Sequence, residues 1–488
     1  MTKTFVRFQN YNRYAHRYMS TQMRIERQYV LLLIAVFITC VMDGLDGSIV
    51  NVALPKIAEA FNTDAGTVSW VGLAYLLMVA GTVLIFGRVA ARGYIKRIFV
   101  SGFVLFIISS LFCGFAPNLL ILIAGRLIQG LGASMLLACA PLICAKYIPT
   151  EIMGLAFGVM TAATSVGFAF GPALGGILTH YLSWNWVFWI NVPIGIIAVI
   201  YAAKVIPKGT HDPSAQKFDV RGALLLFAAM ASLTYVLERL PHLGAANPQI
   251  IIISILCAAA FTLFIISSLR RTNPILNIRV FRIPAVTLTI IAYLIIQVVF
   301  GGLFYLLPFY FTNQFNADML LCGILMLIQP VVSAVLSVFF GKWSDSYGRR
   351  IFCTAACAGL TLIYGVFAFI RPEAGLLPFV LLLVGEGICF AMANGPASGK
   401  IVDLMPEGEK ESGSSLMMAC VFLGAVVGTA LFASAFTFLT MKGGVILSFA
   451  ELPQDVFAAG FTGSMIGGCV LSLVSVIFCA VVKDKRDE

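Results

Sequence analysis

Two carboxylates interrupt the first apolar stretch of the chain, in Met42-Asp43-Gly44-Leu45-Asp46-Gly47-Ser48. A charged side chain inside an apolar helix costs about 2.5–3.5 kcal/mol near its centre on insertion scales, so such residues are functional candidates by default. Spacing i,i+3 places Asp43 and Asp46 on one helix face, which must point at water or at a partner. Two close carboxylates resist ionising together, so one of them holds a proton more tightly than usual. The pair is therefore a candidate site for taking up and releasing protons. At about 1.5 Å per residue from Tyr29, Asp43 lies about 21 Å and Asp46 about 26 Å along the helix. The alternative is thus a pair at the far interface.

A single cation, Arg126, lies within another apolar stretch, in Gly125-Arg126-Leu127-Ile128-Gln129-Gly130-Leu131-Gly132. Read inward from Asn118, it sits about 12 Å deep, close to the level of Asp43. A guanidinium there calls for a carboxylate partner, Asp43 or Asp46. Protonating that partner would free the arginine; a static ion pair is the plainer reading. Glu386, between Gly385 and Gly387, lies about 15 Å into its own stretch and is a candidate second proton or cation site. Tyr75, Gln129, Tyr305, Phe309 and Asn394 are candidates to line a substrate cavity, where aromatic rings suit lipophilic cations. The same aromatics serve equally well as core or lipid-facing packing.

The elements that must carry these residues follow from composition. Of the 488 residues, 60% are hydrophobic and only 11% charged, with mean hydropathy +0.97. A soluble chain of this size has no surface left to wet with that composition, so the expected class is an all-α polytopic membrane protein. Fourteen runs of roughly 20 apolar residues are each long enough to cross about 30 Å of hydrocarbon. No aqueous segment exceeds about 30 residues, which leaves no room for a separate soluble domain.

The net charge of +10 distributes with the runs. If the N-terminus is cytoplasmic, 27 of the 32 Lys and Arg fall in inner segments, and only Lys56, Arg239, Arg371 and Lys442 fall in outer ones. That is the positive-inside pattern, which predicts both termini in the cytoplasm and makes nucleic acid an unneeded partner. The expected divisions are a basic, aromatic tail over 1–28 and a six-helix bundle over 29–206. An inserted two-helix segment follows over 207–283, then a second bundle over 284–482 and a tail over 483–488. The twelve Cys lie mostly in apolar runs and read as small packing residues. No HExxH, no phosphate-binding glycine loop with Lys and only four His, all near loops or the tail, speak against an enzyme; Cys353 and Cys357, four apart on one helix, are too isolated for a zinc site, and no cofactor is expected.

Two segments repeat. Gly87-Arg88-Val89-Ala90-Ala91-Arg92 follows the second run, and Gly341 through Asp345 to Gly348-Arg349-Arg350 follows the tenth. Each follows the second helix of its half if runs seven and eight are an insertion. Parallel repeats of this kind belong to transporters, with a substrate site near midplane between them. The fifth run holds Gly167, Gly171, Pro172, Gly175 and Gly176, spaced for tight helix contact and a bend.

Taken together these motifs resemble the major facilitator superfamily, in particular its fourteen-helix drug:proton antiporters. Leu45-Asp46 through Asn51-Val52-Ala53-Leu54-Pro55 is similar to that branch's first-helix signature, and Arg126, Gln129, Gly130 and Gly132 to its fourth-helix motif. Gly167 to Gly176 resembles the antiporter motif; Trp184, Trp186, Phe188, Asn191, Pro193 and Gly195 resemble the segment entering helix six. Gly341 to Arg350 resembles the inner-loop gating motif, whose first copy would comprise Gly87, Arg88 and Arg92. There Ala91 stands for the family's Asp and Tyr94 for its Gly, while Asn185 and Val421 replace usual arginines and Asp43 is additional. The resemblance implies the major facilitator fold, a monomer in the cytoplasmic membrane, and efflux of lipophilic, cationic drugs or toxic compounds driven by the proton gradient. Asp43, Asp46, Arg126 and Glu386 would do the coupling. Transport of a specific metabolite, lipid or siderophore is the alternative it leaves open.

Overall fold

The computed structural model describes residues 27–149, 152–207, 219–271, 274, 278–406, 410–441 and 445–482. The basic N-terminal tail, apart from its last two residues, and the tail over 483–488 lie outside them. Among the described residues, fourteen long helices are apolar enough to span a membrane. They are α1 (Arg27–Ala60), α2 (Trp70–Val89), α3 (Ile95–Gly114), α4 (Leu119–Tyr147), α5 (Met153–Tyr181), α6 (Asn191–Val205), α7 (Val220–Leu243), α8 (Pro248–Arg270), α9 (Pro284–Phe315), α10 (Met319–Tyr347), α11 (Arg349–Phe369), α12 (Leu376–Leu404), α13 (Lys410–Thr440) and α14 (Gln454–Val481). With no water to satisfy backbone groups in hydrocarbon, helices of this length are the available solution for such runs.

Polar residues at the aqueous boundaries start the helices. Asn118 caps α4 by accepting from the Ile121 N–H, Asp219 caps α7 and Asp318 caps α10. Asn247 caps α8, which has Pro248 at its first position, where no backbone donor is needed. α1 runs through Pro55 to Ala60, well past the apolar stretch read from sequence, because Leu54 and Pro55 are buried against neighbours.

α1–α6 pack on one another, chiefly α1 on α5 and α4 on α2 and α3; α9–α14 do the same, chiefly α9 on α13, α10 on α12 and α11 on α14. α7 lies against both α2 and α13 and carries α8 on its outer side. Only 17% of the central stretch of α8 is buried, against 72% for α9, so α8 faces lipid while α9 is central.

The helix-to-helix turns repeat between the halves. α1 ends in Phe61-Asn62-Thr63-Asp64 and α9 in Phe315-Asn316-Ala317-Asp318. Both asparagines are left-handed (φ 46° and 48°); Asp64 caps the short helical turn Ala65–Val68 that leads into α2, and Asp318 caps α10. The same chain spacing separates Gly87 from Gly341. The gating motif differs from its sequence expectation: Gly341 to Tyr347 is still helix, and the chain turns only at Gly348 (φ 101°). In the first copy, Ala90–Tyr94 widens into a π turn and Gly93 takes the left-handed angle (φ 102°). With Tyr94 where a glycine is usual, the turn has moved one residue earlier, to the glycine present.

The halves are joined at the end of the bundle remote from the basic segments. There the Tyr305 hydroxyl donates to the Ala65 carbonyl, and the Phe449 N–H donates to the Thr63 carbonyl at 3.1 Å. The far ends of α5 and α10 cross with Gly176 over Met319 and Gly323 over Pro172, where any Cβ would strike backbone.

Candidate functional site

The first-half cluster is built from α1, α2, α3, α4 and α6. Arg126 Nη1 donates to Asp46 Oδ2 at 2.7 Å and to Gln129 Oε1 at 2.7 Å, and Nε donates to the Val71 carbonyl at 2.9 Å. Gln129 Nε2 donates to Asp46 Oδ1 at 3.0 Å and to Ser110 Oγ at 2.8 Å; Asn191 Nδ2 donates to Asp46 Oδ1 at 2.9 Å. Asp46, Arg126, Gln129, Ser110 and Asn191 are all buried. Of the two acids open as partners from sequence, Asp46 takes the arginine.

Tyr75 joins the cluster to the second acid. Its ring lies under the guanidinium, 4.2 Å from the Arg126 Cζ, and its hydroxyl donates to Asp43 Oδ1 at 3.3 Å. Asp43 itself is only half-buried. One helical turn therefore separates an enclosed, compensated carboxylate from one that keeps contact with the outside of the cluster. A proton added at Asp46 would leave Arg126 with fewer anionic acceptors, and Asp43 is the nearest other acid on that face.

Glu386 stands apart, on α12. It is 2% exposed, and among the described residues no hydrogen bond or ion pair engages it; Tyr364 and Cys389 are its titratable neighbours. It lines a small hollow with Phe300, Phe304, Met326, Leu383 and Gln329. Gln329 is buried too, and its Oε1 has no hydrogen-bond partner among the described residues. The Phe304 ring stacks on Phe168 of α5 at 5.1 Å, and Phe300 stacks on Phe390 at 4.3 Å.

The remaining sequence candidates divide. Asn394 accepts from the Tyr293 hydroxyl at 2.7 Å, within the second half. Tyr305 and Phe309 are fully buried in the seal between the halves, where Phe309 meets Phe449 edge-on. Gly167, Gly171 and Gly175 of α5 abut Val41, Ser48 and Ile49 of α1, and Gly176 and Pro172 meet α10. In the gating segments Arg349 pairs with Asp403 and Arg350 donates to the Ala480 carbonyl, both within the second half. The side chains of Arg88 and Asp345 lie outside the described residues; Gly87, Arg92 and Gly341 occupy the helix ends beside them.

Sequence reasoning missed Ser110, Gln329 and the Asp46-binding role of Asn191. The available signals were Asn191 at the first position of α6 and a glutamine beside Pro330 after the apolar run Met319 to Ile328.

The Major Facilitator Superfamily model matches residues 36–429. The chain belongs to the major facilitator superfamily. Among relatives, the riboflavin transporter RibZ of Clostridioides difficile (strain 630) is 30% identical over 410 residues, covering 84% of this chain and 89% of RibZ. The putative multidrug resistance protein MdtD of Salmonella heidelberg (strain SL476) is 28% identical over 396 residues, covering 80% and 83%. Among solved structures, a bacterial homolog of the human lysosomal transporter Spinster, inward-facing and occupied, superposes with TM-score 0.68 at 15% identity, covering 93% of this chain and 96% of that one. A mutant of the nucleoside transporter NupG does so with TM-score 0.63 at 14% identity, covering 92% and 99%. Within the superfamily this chain is a fourteen-helix transporter and not an enzyme.

Proposed function

We propose that the protein exports lipophilic cations from the cytoplasm in exchange for protons, by alternating access across the cytoplasmic membrane, with both termini in the cytoplasm. The observation that carries this reading is the Asp46–Arg126 pair with Asp43 one turn away and tied to it through Tyr75. Proton loading at Asp46 would redistribute the guanidinium's hydrogen bonds, and loading at Asp43 would change the one from Tyr75, so that the states of the cluster favour different arrangements of α1, α2, α4 and α6. Coupling requires only that cargo and proton prefer different states. One proton moving down 100 mV supplies about 2.3 kcal/mol, enough to drive a neutral solute up a tenfold gradient, which needs about 1.4 kcal/mol.

The test is transport in proteoliposomes across a panel of cationic dyes and neutral metabolites, with and without an imposed pH gradient. Asp46→Asn is expected to abolish gradient-driven export while the purified protein keeps its elution profile; full activity would refute the assignment. A second reading, transport of one planar metabolite, draws on the stacked rings of Phe168, Phe300, Phe304 and Phe390 and on the similarity to a riboflavin transporter. Uptake or export of riboflavin with no response to the dyes would favour it.

A further inference from the structure

The hollow at Glu386 occupies the place in the second half that Arg126 fills in the first. Gly130 of α4 abuts α2 so closely that a Cβ would stand 2.6 Å from the Tyr75 carbonyl and 2.9 Å from Met78 Cβ. Gly387 of α12 abuts α10 in the same way, 2.7 Å from the Gln329 carbonyl and 2.9 Å from Val332 Cβ. The spacing of Tyr75 from Gln329 equals that of Asn62 from Asn316, so the two helix crossings are counterparts. Gln129 then corresponds to Glu386, Arg126 to Leu383, and Asp46 to Phe300.

The first half shows what this position holds when filled. It holds a planar cation with N–H groups, stacked on a ring and bonded to a carboxylate and an amide oxygen. In the second half the same kinds of group surround the hollow with their places exchanged: the carboxylate of Glu386 stands at the Gln129 position, the Gln329 Oε1, without a partner among the described residues, at the Tyr75 position, and the Phe300 ring at the Asp46 position, with Phe304 beside it. The arginine is absent, replaced by a leucine that offers no donor.

We propose that this hollow is a binding site for a planar, N–H-bearing cation, an amidinium or guanidinium group attached to an aromatic body, which takes the position Arg126 takes in the other half. The Glu386 carboxylate receives the forked N–H pair, a geometry that suits amidinium and guanidinium and that a donor-free cation lacks. Gln329 accepts a further N–H, and the rings of Phe300 and Phe304 cover the face of the cation. Because Phe304 also stacks on Phe168 of α5, admitting the ligand displaces a ring contact between the halves. This names the cargo class of the export reading above and rests on it for its place in the transport cycle.

The experiment is calorimetric binding to the purified full-length protein without any gradient. The probes are pentamidine, an aryl bisamidine, and tetraphenylphosphonium, a lipophilic cation without N–H groups. Glu386→Gln is expected to weaken pentamidine at least tenfold and to change tetraphenylphosphonium less than threefold. Leu383→Arg, which supplies the second half with its own guanidinium, is expected to remove pentamidine binding, while Leu383→Met retains it. Equal losses for both probes in Glu386→Gln, or unchanged pentamidine affinity in Glu386→Gln, overturns the proposal. If Leu383→Arg does not fold, the Glu386→Gln and Leu383→Met arms decide alone. Binding with these dependences but no pH-driven transport would sink the antiport reading and leave the site. PH-driven transport of tetraphenylphosphonium with no pentamidine binding would do the reverse.

Discussion

Glu386 and Gln129 sit at matching helix crossings of the two halves, yet their surroundings differ. Around Gln129 every charge is answered: Asp46 receives donors from Arg126, Gln129 and Asn191, and Arg126 has three acceptors. Around Glu386 no hydrogen bond or ion pair answers the carboxyl among the described residues, and the residues corresponding to Asp46 and Arg126 are Phe300 and Leu383. An enclosed pair can stay ionised at modest cost because its own hydrogen bonds replace water. An unanswered acid must take its compensation from outside the protein, as a proton or a cationic guest. On the function proposed above, one half would hold its switch within its own hydrogen bonds and the other would take its compensation from cargo.

The largest expected effect breaks this contrast by sign. Arg126→Ala strands Asp46 in a buried site and should destabilise the protein by about 3–5 kcal/mol, with export lost. Glu386→Leu removes an unanswered buried carboxyl and should stabilise by about 1–3 kcal/mol, while export of an N–H-bearing cation is lost all the same. Thermal unfolding in detergent paired with proteoliposome transport measures both. If the two variants shift stability in the same direction, the halves do not differ as described.

A double-mutant cycle sharpens the first site. Asp46→Asn combined with Arg126→Gln should be milder than the sum of the single variants, with an interaction of about 0.5–3 kcal/mol, because each single change orphans the other partner. Additivity would mean that Asp43, through Tyr75, already takes over as the acceptor for Arg126.

The correspondence between the halves is tested next by its tight crossings. Gly130→Ala and Gly387→Ala each press a methyl group onto a backbone carbonyl, at 2.6 and 2.7 Å before relaxation. Each should cost about 1–3 kcal/mol and by similar amounts. A large cost at one and none at the other would show that the crossings are not equivalent.

The fold was legible in the sequence because a bilayer imposes length and polarity on every span, and fourteen apolar runs leave little choice. The choice of Asp46 over Asp43 was not, since both share a face and only the approach of α4 and α6 decides between them. The hollow at Glu386 was half legible. A lone acid between two glycines marks a site, but its emptiness depends on Leu383 and Phe300, apolar residues that carry no signal until the halves are compared. The gating motif was legible as sequence and misplaced as structure, because its residues up to Tyr347 prolong α10 and Gly93 takes the turn that Tyr94 cannot.

The smallest effect concerns the matching caps, Asp64 and Asp318. Both accept the N–H three residues on, at 3.0 and 2.8 Å. Asp318 is otherwise exposed, with His180 3.6 Å away. Asp64 is half enclosed at the seal and also meets His242 of α7 at 3.4 Å. Burial pushes the Asp64 carboxyl upward, but hydrogen bonds from His242 and Thr67 outweigh it and hold the group below the usual carboxylate range. A carboxyl held low in the folded state adds stability that is complete above about pH 4 and fades as pH falls through its folded value. Asp318→Ala should therefore cost a simple cap, about 0.5–1 kcal/mol. Asp64→Ala should cost more, up to about 2 kcal/mol at neutral pH, with the difference from the unmutated protein shrinking in acid. Melting temperatures of the two variants across pH 3 to 7 measure this. Equal costs, or an Asp64 difference that persists unchanged at pH 3, would remove His242 and α7 from the seal and make the two turns alike in energy as they are in sequence.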